Sequence, residues 1–359
     1  MTDADGLREI ALLRLVAQGL AGPARSNRRD SPLDAVRRLL CLQAQDYWSG
    51  VASVAVRSGT GIAGVEAALN AGTVVRAWPL RGTLHLVAAD DLGWLRELLA
   101  GRQLAAAAGR EAQLGIDAPL LGRAERIAVD ILSTRGPSTR AELTAAWQAD
   151  GIDTGGQRGY HLIWHLAHAG TVVFGPVRNG QQLLVLTGPL AAASAGLTRE
   201  EALETLARRY FEGHGPAIPD DLRRWANLTV ADTKRAVAAA RPHLAAVTVA
   251  DTEYLLGPGT RDELAGCRAE ARDVIALPGF DELLFGYRDR VATLPEDRSA
   301  LVFPHSNGIP CCTVIVDGQV AATWRRPAKR DKEAVEITPL VPLGEEVVQA
   351  AARRAQAIG

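Results

Sequence analysis

The sequence predicts an α+β fold: three tandem winged-helix units, each a helix-turn-helix followed by a β-wing, and then a small β-rich, barrel-like C-terminal domain. Three observations predict it. One segment recurs internally, helical runs end in hairpin signals, and the residue pattern turns from helical to strand-like near Val274. The recurring segment is Gly136-Pro137-Ser138-Thr139-Arg140-Ala141-Glu142-Leu143, matched in pattern 79 residues later by Gly215-Pro216-Ala217-Ile218-Pro219-Asp220-Asp221-Leu222. Each copy follows an amphipathic run, Arg123 to Ser133 and Glu200 to Phe211. Each then opens a short helix with acids in its first turn, where the helix dipole favours negative charge. Self-similarity at a set spacing marks tandem units, and helix, turn, short helix, turn, second helix is the order of a helix-turn-helix.

In the first unit, Leu7 to Leu20 reads as a helix, and Ser31-Pro32-Leu33-Asp34 starts another by the cap-then-proline rule. An apolar helix is expected from Ala35 to Leu42, and a wing from Val74–Pro79 against Gly82–Val87. The second unit carries a helix from Arg158 to His168, a strand Thr171–Phe174, the turn Arg178-Asn179-Gly180 and a strand from Gln182 to Leu186. Asn-Gly between alternating apolar runs is a strong hairpin signal, because both turn residues must take positive φ. The third unit runs from Arg199 to about Leu256, its second helix capped by Thr229. Strands then follow at Val274–Leu277, Ala300–Phe303, Cys312–Val316, Val320–Trp324 and Val335–Thr338, with Asp317-Gly318 as a further turn. The boundaries are thus 1–117, 118–195, 196–262 and 263–359.

Composition narrows the function. The chain has 359 residues, 47% hydrophobic and 23% charged, enough for an ordinary core without staples. Four cysteines are too few for a disulfide framework, which fits a reducing cytoplasm. The acidic start MTDADGLREI is unlike a secretory leader, and no apolar run is long enough to span a membrane. Forty basic against 41 acidic residues give a net charge of −1, which neither announces nor excludes nucleic acid, since a local basic face suffices. Of the basic residues 37 are arginine, so phosphate contacts would come from guanidinium forks. No cofactor loop or complete metal motif is seen. His161, His165 and His168 share a helical face, but no Cys lies near them, and base or phosphate contact suits that helix better.

The least ordinary stretch is Leu42-Gln43-Ala44-Gln45-Asp46-Tyr47-Trp48, two amides, a carboxylate and two aromatics at a helix end. The bland reading is a polar helix terminus packed over Tyr47 and Trp48. If the backbone is extended there, the two glutamines share a face. Together with Arg76-Ala77-Trp78-Pro79-Leu80-Arg81-Gly82-Thr83-Leu84-His85 and Pro278-Gly279-Phe280-Asp281-Glu282-Leu283-Leu284-Phe285-Gly286-Tyr287-Arg288-Asp289-Arg290, this stretch resembles the AlkZ/YcaQ-type winged-helix DNA glycosylases. The motifs lie in the same order over most of the chain, from about Leu7 to Thr338. The resemblance implies hydrolysis of alkylated bases from DNA, a catalytic Gln-apolar-Gln motif that maps onto Gln43 and Gln45, and a wing hairpin near the lesion strand. Some relatives carry Asp at the second position. Gln45 places this chain nearer the AlkZ branch, associated with bulky adducts and interstrand crosslinks.

The chemistry is consistent with that assignment. A carboxamide is nearly non-basic and cannot act as a conventional general base. A purine alkylated at N7 or N3 is already cationic, so it leaves without an acid. What remains is to hold water and stabilise an oxocarbenium-like sugar, work that a pre-oriented dipole can do, for about 10²- to 10³-fold in rate. Asp46 and His85 are secondary candidates for catalytic support. Asp46 equally suits a helix cap, and His85 a satisfied strand histidine. Candidate DNA contacts are Arg28 and Arg29 in a basic loop, Arg76, Arg81 and Thr83 on the first wing, Arg158 and His161 on the recognition helix, and Arg178 and Asn179 on the second wing. Asp281, Glu282 and Asp289 are expected to pair with Arg288 and Arg290. The expected partner is double-stranded DNA bearing alkylated purines, met by a monomer. The alternatives are a non-catalytic winged-helix regulator or architectural protein, and a protein-interaction scaffold.

Overall fold

The computed structural model describes residues 3–22, 31–188, 196–305, 308–327 and 335–358. Helix α1 (Asp3–Ala17) has Asp3 and Asp5 in its first turn and buries its run from Ile10 to Ala17, Arg14 included. Helix α2 (Pro32–Leu39) starts at Ser31, whose hydroxyl accepts from the Asp34 N–H while the Asp34 carboxylate accepts from the Ser31 N–H. The helix expected to reach Leu42 stops at Leu39. Leu40 takes φ 63° and turns the chain into the strand β1 (Cys41–Gln43). Burial of every residue from Leu39 to Leu42 offsets that unfavourable backbone. Next come α3 (Tyr47–Ser58), α4 (Gly61–Asn70), β2 (Val74–Leu80), β3 (Thr83–Ala88) and the long α5 (Leu92–Gln113).

Helices α6 (Ala118–Thr134), α7 (Arg140–Ala149) and α8 (Arg158–Ala169) lead into the hairpin of β4 (Val172–Arg178) and β5 (Gln181–Leu186). Helices α9 (Arg199–His214), α10 (Pro219–Trp225) and α11 (Val230–Ala240) lead likewise into β6 (Ala245–Val249) and β7 (Thr252–Leu256). The sequence repeat therefore has a structural counterpart, down to single hydrogen bonds. Ser138 exchanges N–H and C=O bonds of 3.1 and 2.7 Å with Leu184. Ala217, 79 residues on, makes the same reciprocal pair with Leu255 at 2.9 and 2.8 Å. Thr139 and Thr229 cap α7 and α11 through their side-chain oxygens.

The C-terminal region is α12 (Thr260–Ala271), β8 (Ile275–Leu277), α13 (Glu282–Phe285), α14 (Glu296–Val302), β9 (Cys312–Val316), β10 (Gln319–Arg325), β11 (Glu336–Pro339) and α15 (Glu345–Gln356). Two expectations are corrected here. Ala300–Phe303 is not a strand but the end of α14, whose first turn carries Glu296 and Asp297. The sheet is also open, in the order β11-β10-β9-β8, not a barrel. Its short edge strands each have one neighbour, so closure is replaced by packing. Ala351, Ala355 and Ile358 lie with Val274, Ala276, Val314 and Trp324 in one buried cluster. The Trp324 indole N–H donates to the Leu277 carbonyl at 2.9 Å.

The fold is α+β, and its contacts divide it into two compact units, residues 1–65 with 203–359, and residues 66–202. The boundary at 65/66 falls inside the first of the four segments expected from sequence. In the first unit, Leu12, Leu15, Val16 and Leu20 share a core with Leu256, Leu264, Leu283 and Ile315. The second unit has its own core around Trp147, Leu143, Leu162, Phe174 and Leu184. There the strands run β3-β2-β4-β5, all antiparallel. No helix among the described residues is long and apolar enough to cross a membrane.

Candidate active site

The turn at Leu40 delivers Gln43 at the end of β1 in extended backbone. Gln43 is 6% exposed, whereas Gln45 and Asp46 lie exposed. The Gln43 side-chain Oε1 accepts the Gln45 backbone N–H at 3.0 Å, so the first glutamine is tied to the second through its own carboxamide. Between them Ala44 is fully buried. A Cβ placed on Gly50 of α3 would lie 2.5 Å from the Ala44 Cβ. The small middle residue and the glycine therefore accommodate each other. Asp46 caps α3, its Oδ2 accepting the Ser49 N–H at 2.8 Å. A cap of this kind is worth about 1 kcal/mol.

Behind the motif lies the Pro278–Arg290 segment. Glu282, fully buried, accepts the Gln43 backbone N–H through Oε1 at 2.8 Å. Its Oε2 accepts the Trp225 indole N–H at 3.1 Å and faces the His214 Nε2 at 3.3 Å. Phe280 takes φ 58° just before Asp281 caps α13, backbone strain of the sort that tertiary contacts must hold. For Asp281 the expected pairing with Arg288 and Arg290 is corrected. Asp281 binds Arg57 of α3 at 2.8 and 2.9 Å and the Ser53 hydroxyl at 2.6 Å. Arg288 pairs with Asp220, and Arg290 donates to the Leu284 carbonyl at 2.5 Å. Both side chains of the Arg57–Asp281 pair are about 1% exposed, and leaving such a charge without its partner costs about 3–5 kcal/mol. Sequence spacing alone did not reveal Arg57, Gly50 or the Gln43–Glu282 bond, because each depends on a contact set by the fold.

The remaining candidates from Arg76 to Asn179 belong to the second unit. Hairpin β2–β3 turns at Arg81 (φ 53°) and Gly82 (φ 69°), and β4–β5 at Asn179 (φ 53°) and Gly180 (φ 73°). Positive φ at both central residues is the two-residue turn that matches strand twist. Both hairpins are irregular at a proline, across Trp78-Pro79 and Gly175-Pro176. Arg178 and Asn179 are exposed, Arg178 lying 3.7 Å from Glu142. Arg76 donates to the Gln182 side chain at 2.8 Å, and the Thr83 hydroxyl to the Leu80 carbonyl at 3.3 Å.

His85 of β3 is fully buried, its Nδ1 2.8 Å from the Thr83 carbonyl oxygen. Arg158 spends donors on the Asp153 and Leu114 carbonyls, at 2.9 and 2.7 Å, at the start of α8. The three helix histidines are likewise engaged or shielded. His165 meets Glu111 at 2.9 Å, and His168 meets the Trp164 carbonyl and Gln103. Burial pushes His168 down to about 4 and also lowers His161. No group of three or more His, Cys, Asp or Glu among the described residues could hold a metal. Arg28 and Arg29 lie outside the described residues.

The family model described as DNA glycosylase AlkZ-like matches residues 36–359. The chain belongs to that family. It is thus a DNA glycosylase by membership, and the matched span includes Gln43, Gln45 and Glu282. A relative of this AlkZ-like glycosylase is an interstrand DNA cross-link repair glycosylase of Streptomyces sahachiroi. The two are 25% identical over 319 residues, which is 82% of each chain. The solved structure of the Streptomyces sahachiroi DNA glycosylase AlkZ superimposes with a TM-score of 0.78 at 21% identity, over 97% of this chain and 96% of that one. That likeness bears on the fold, and it spans the α+β architecture from end to end.

Proposed function

We propose that this AlkZ-like glycosylase hydrolyses the N-glycosidic bond of cationic N7- or N3-alkylated purines in double-stranded DNA, bulky adducts and interstrand crosslinks included. Gln43 and Gln45 are the catalytic pair: they position water and stabilise the oxocarbenium-like sugar. The observation that carries the reading is the unequal exposure of the pair. Gln45 stands exposed, while the buried Gln43 grips the Gln45 main chain. A carboxamide held this way is a pre-oriented dipole, which is worth most when it need not reorganise as charge develops. With no acid needed for a cationic leaving group, such a site suffices for damaged bases and fails on normal ones.

Three winged-helix units, 1–117, 118–195 and 196–262, and a C-terminal region 263–359 form the DNA-handling scaffold in this reading. The matched Ser138 and Ala217 bridges support a tandem origin for two of them. The exposed tips Arg178 and Asn179, with Arg81 on the other hairpin, are the phosphate contacts. Arg158 supports the start of α8, and His85 lies buried in β3 of the hairpin that carries Arg81. The full chain is to be tested as a monomer on a duplex containing N7-methylguanine and on a crosslinked duplex, with free base and strand separation measured. Release from both is expected. Tight, salt-dependent duplex binding without release overturns the enzymatic reading in favour of a DNA-binding protein.

A further inference from the structure

We infer that Glu282 is a positioning residue for the glutamine pair, acting through the Gln43 main chain. The inference rests on the proposed role of Gln43 and Gln45. Glu282 is fully buried, accepts the Gln43 N–H at 2.8 Å and the Trp225 indole N–H at 3.1 Å, and lies 3.3 Å from the His214 Nε2. A carboxylate in a dry interior is expensive, and packing alone would be served as well by an apolar side chain. Here the shortest of these hydrogen bonds goes to the motif itself.

The bond is the first link of a relay. Glu282 fixes the Gln43 N–H, and the Gln43 Oε1 then holds the Gln45 N–H at 3.0 Å. The carboxylate is itself confined. A Cβ on Gly286 would come within 3.3 Å of its Oε2 and 2.6 Å of the His214 Cδ2, so glycine leaves just the space the pair requires. Asp46, the nearer acid in sequence, is spent on the α3 cap at the exposed end of the motif. Charge-assisted bonds to backbone N–H groups are the strong ones, and a reacting dipole needs its support held to about half an ångström. Glu282 supplies a bond of this kind from 239 residues away in the chain.

The test compares full-length Glu282→Ala, Glu282→Gln and Ser53→Ala with the unaltered protein. Ser53→Ala is the control, since it removes a bond from the neighbouring buried carboxylate Asp281 without touching the motif. Single-turnover release of N7-methylguanine, duplex affinity, melting and the amide resonances of ¹⁵N-glutamine-labelled protein are measured. Loss of one charge-assisted bond at the motif should slow release in Glu282→Ala by about 10- to 100-fold, with duplex affinity within about twofold. The Gln43 and Gln45 amide resonances should shift with it. Ser53→Ala should keep release within about threefold even where it melts lower.

If Glu282→Ala does not fold, Glu282→Gln carries the test. Its amide replaces one of the two accepting oxygens by an NH2 that faces the Gln43 or the Trp225 N–H donor to donor, so a loss of about tenfold is expected. Release that stays unaltered in the folded Glu282 variants, or that falls equally in Ser53→Ala, overturns the inference. An unaltered protein that releases no base overturns the glycosylase reading, and the unmoved or moved Gln43 resonance still judges Glu282.

Discussion

The segment Gln43–Asp46 and the hairpin tip Arg178–Gly180 are both short polar stretches, yet the fold treats them oppositely. The first is pinned from behind by Glu282, from the side by Gly50 and from within by the Gln43 carboxamide. The second stands exposed, shaped by its own positive-φ turn, with one loose ion pair to Glu142. Exposed pairs of that kind contribute little, which leaves the Arg178 guanidinium available to an anion. In the proposed reading the difference is that polar residues serving the rate need tertiary support, whereas those serving attraction need reach.

The sharpest way to break this contrast is Gln45→Ala. Release of N7-methylguanine should fall by at least about 100-fold while duplex affinity changes less than about twofold. An unchanged single-turnover rate removes the motif from the chemistry. Gly50→Ala is next, since its new methyl meets the Ala44 Cβ at 2.5 Å with backbone close behind. Overpacking there should cost about 1–3 kcal/mol in denaturant melts and shift the motif, slowing release as well. A melt like that of the unaltered protein would contradict the contact.

Arg178→Ala belongs to the other region and should act on affinity alone. One lost phosphate contact lowers the slope of log affinity against log salt by about 0.9, with release at saturating protein unchanged. Asp46 tests the border between the two. Asp46→Ala should lose about 1 kcal/mol of stability as the cap disappears, and Asp46→Asn, which keeps a cap acceptor, much less. A large drop in rate for the Asn variant would make the carboxylate a direct participant. A pH slope belongs to the scaffold of the second unit. His168 is held down to about 4 by burial, against an ordinary value near 6.5 in the unfolded chain. The unfolded state therefore takes up the proton first, and stability should decline as pH falls from about 6.5 towards 4. His168→Gln should flatten that decline in urea melts.

Much of this was legible in the residues. The Gly-Pro repeat, the Asn179-Gly180 and Asp317-Gly318 turns and the Ser31 and Thr229 caps are local signals, and the elements they mark are present. Local signals failed where burial decided the outcome. Ala35–Leu42 has an apolar helical pattern, yet the core takes Leu40 at positive φ and continues as strand. Ala300–Phe303 reads as a strand by its apolar content, but it closes a helix with acids in its first turn. The open sheet differs from the expected barrel because α15 supplies the packing that strand closure would otherwise provide.

By itself the sequence determined the hairpin turns and helix caps, the chemistry available at Gln43 and Gln45, and the family resemblance. These depend on residue type and on spacings of a few positions, which the chain carries wherever it goes. Only the tertiary structure decided that Gln43 is buried while Gln45 is exposed, that Asp281 belongs to Arg57, and that Glu282 reaches the Gln43 N–H across 239 residues. Those pairings join residues with no local relation. They hold because a buried charge or N–H must find its partner wherever the packed core brings one within reach.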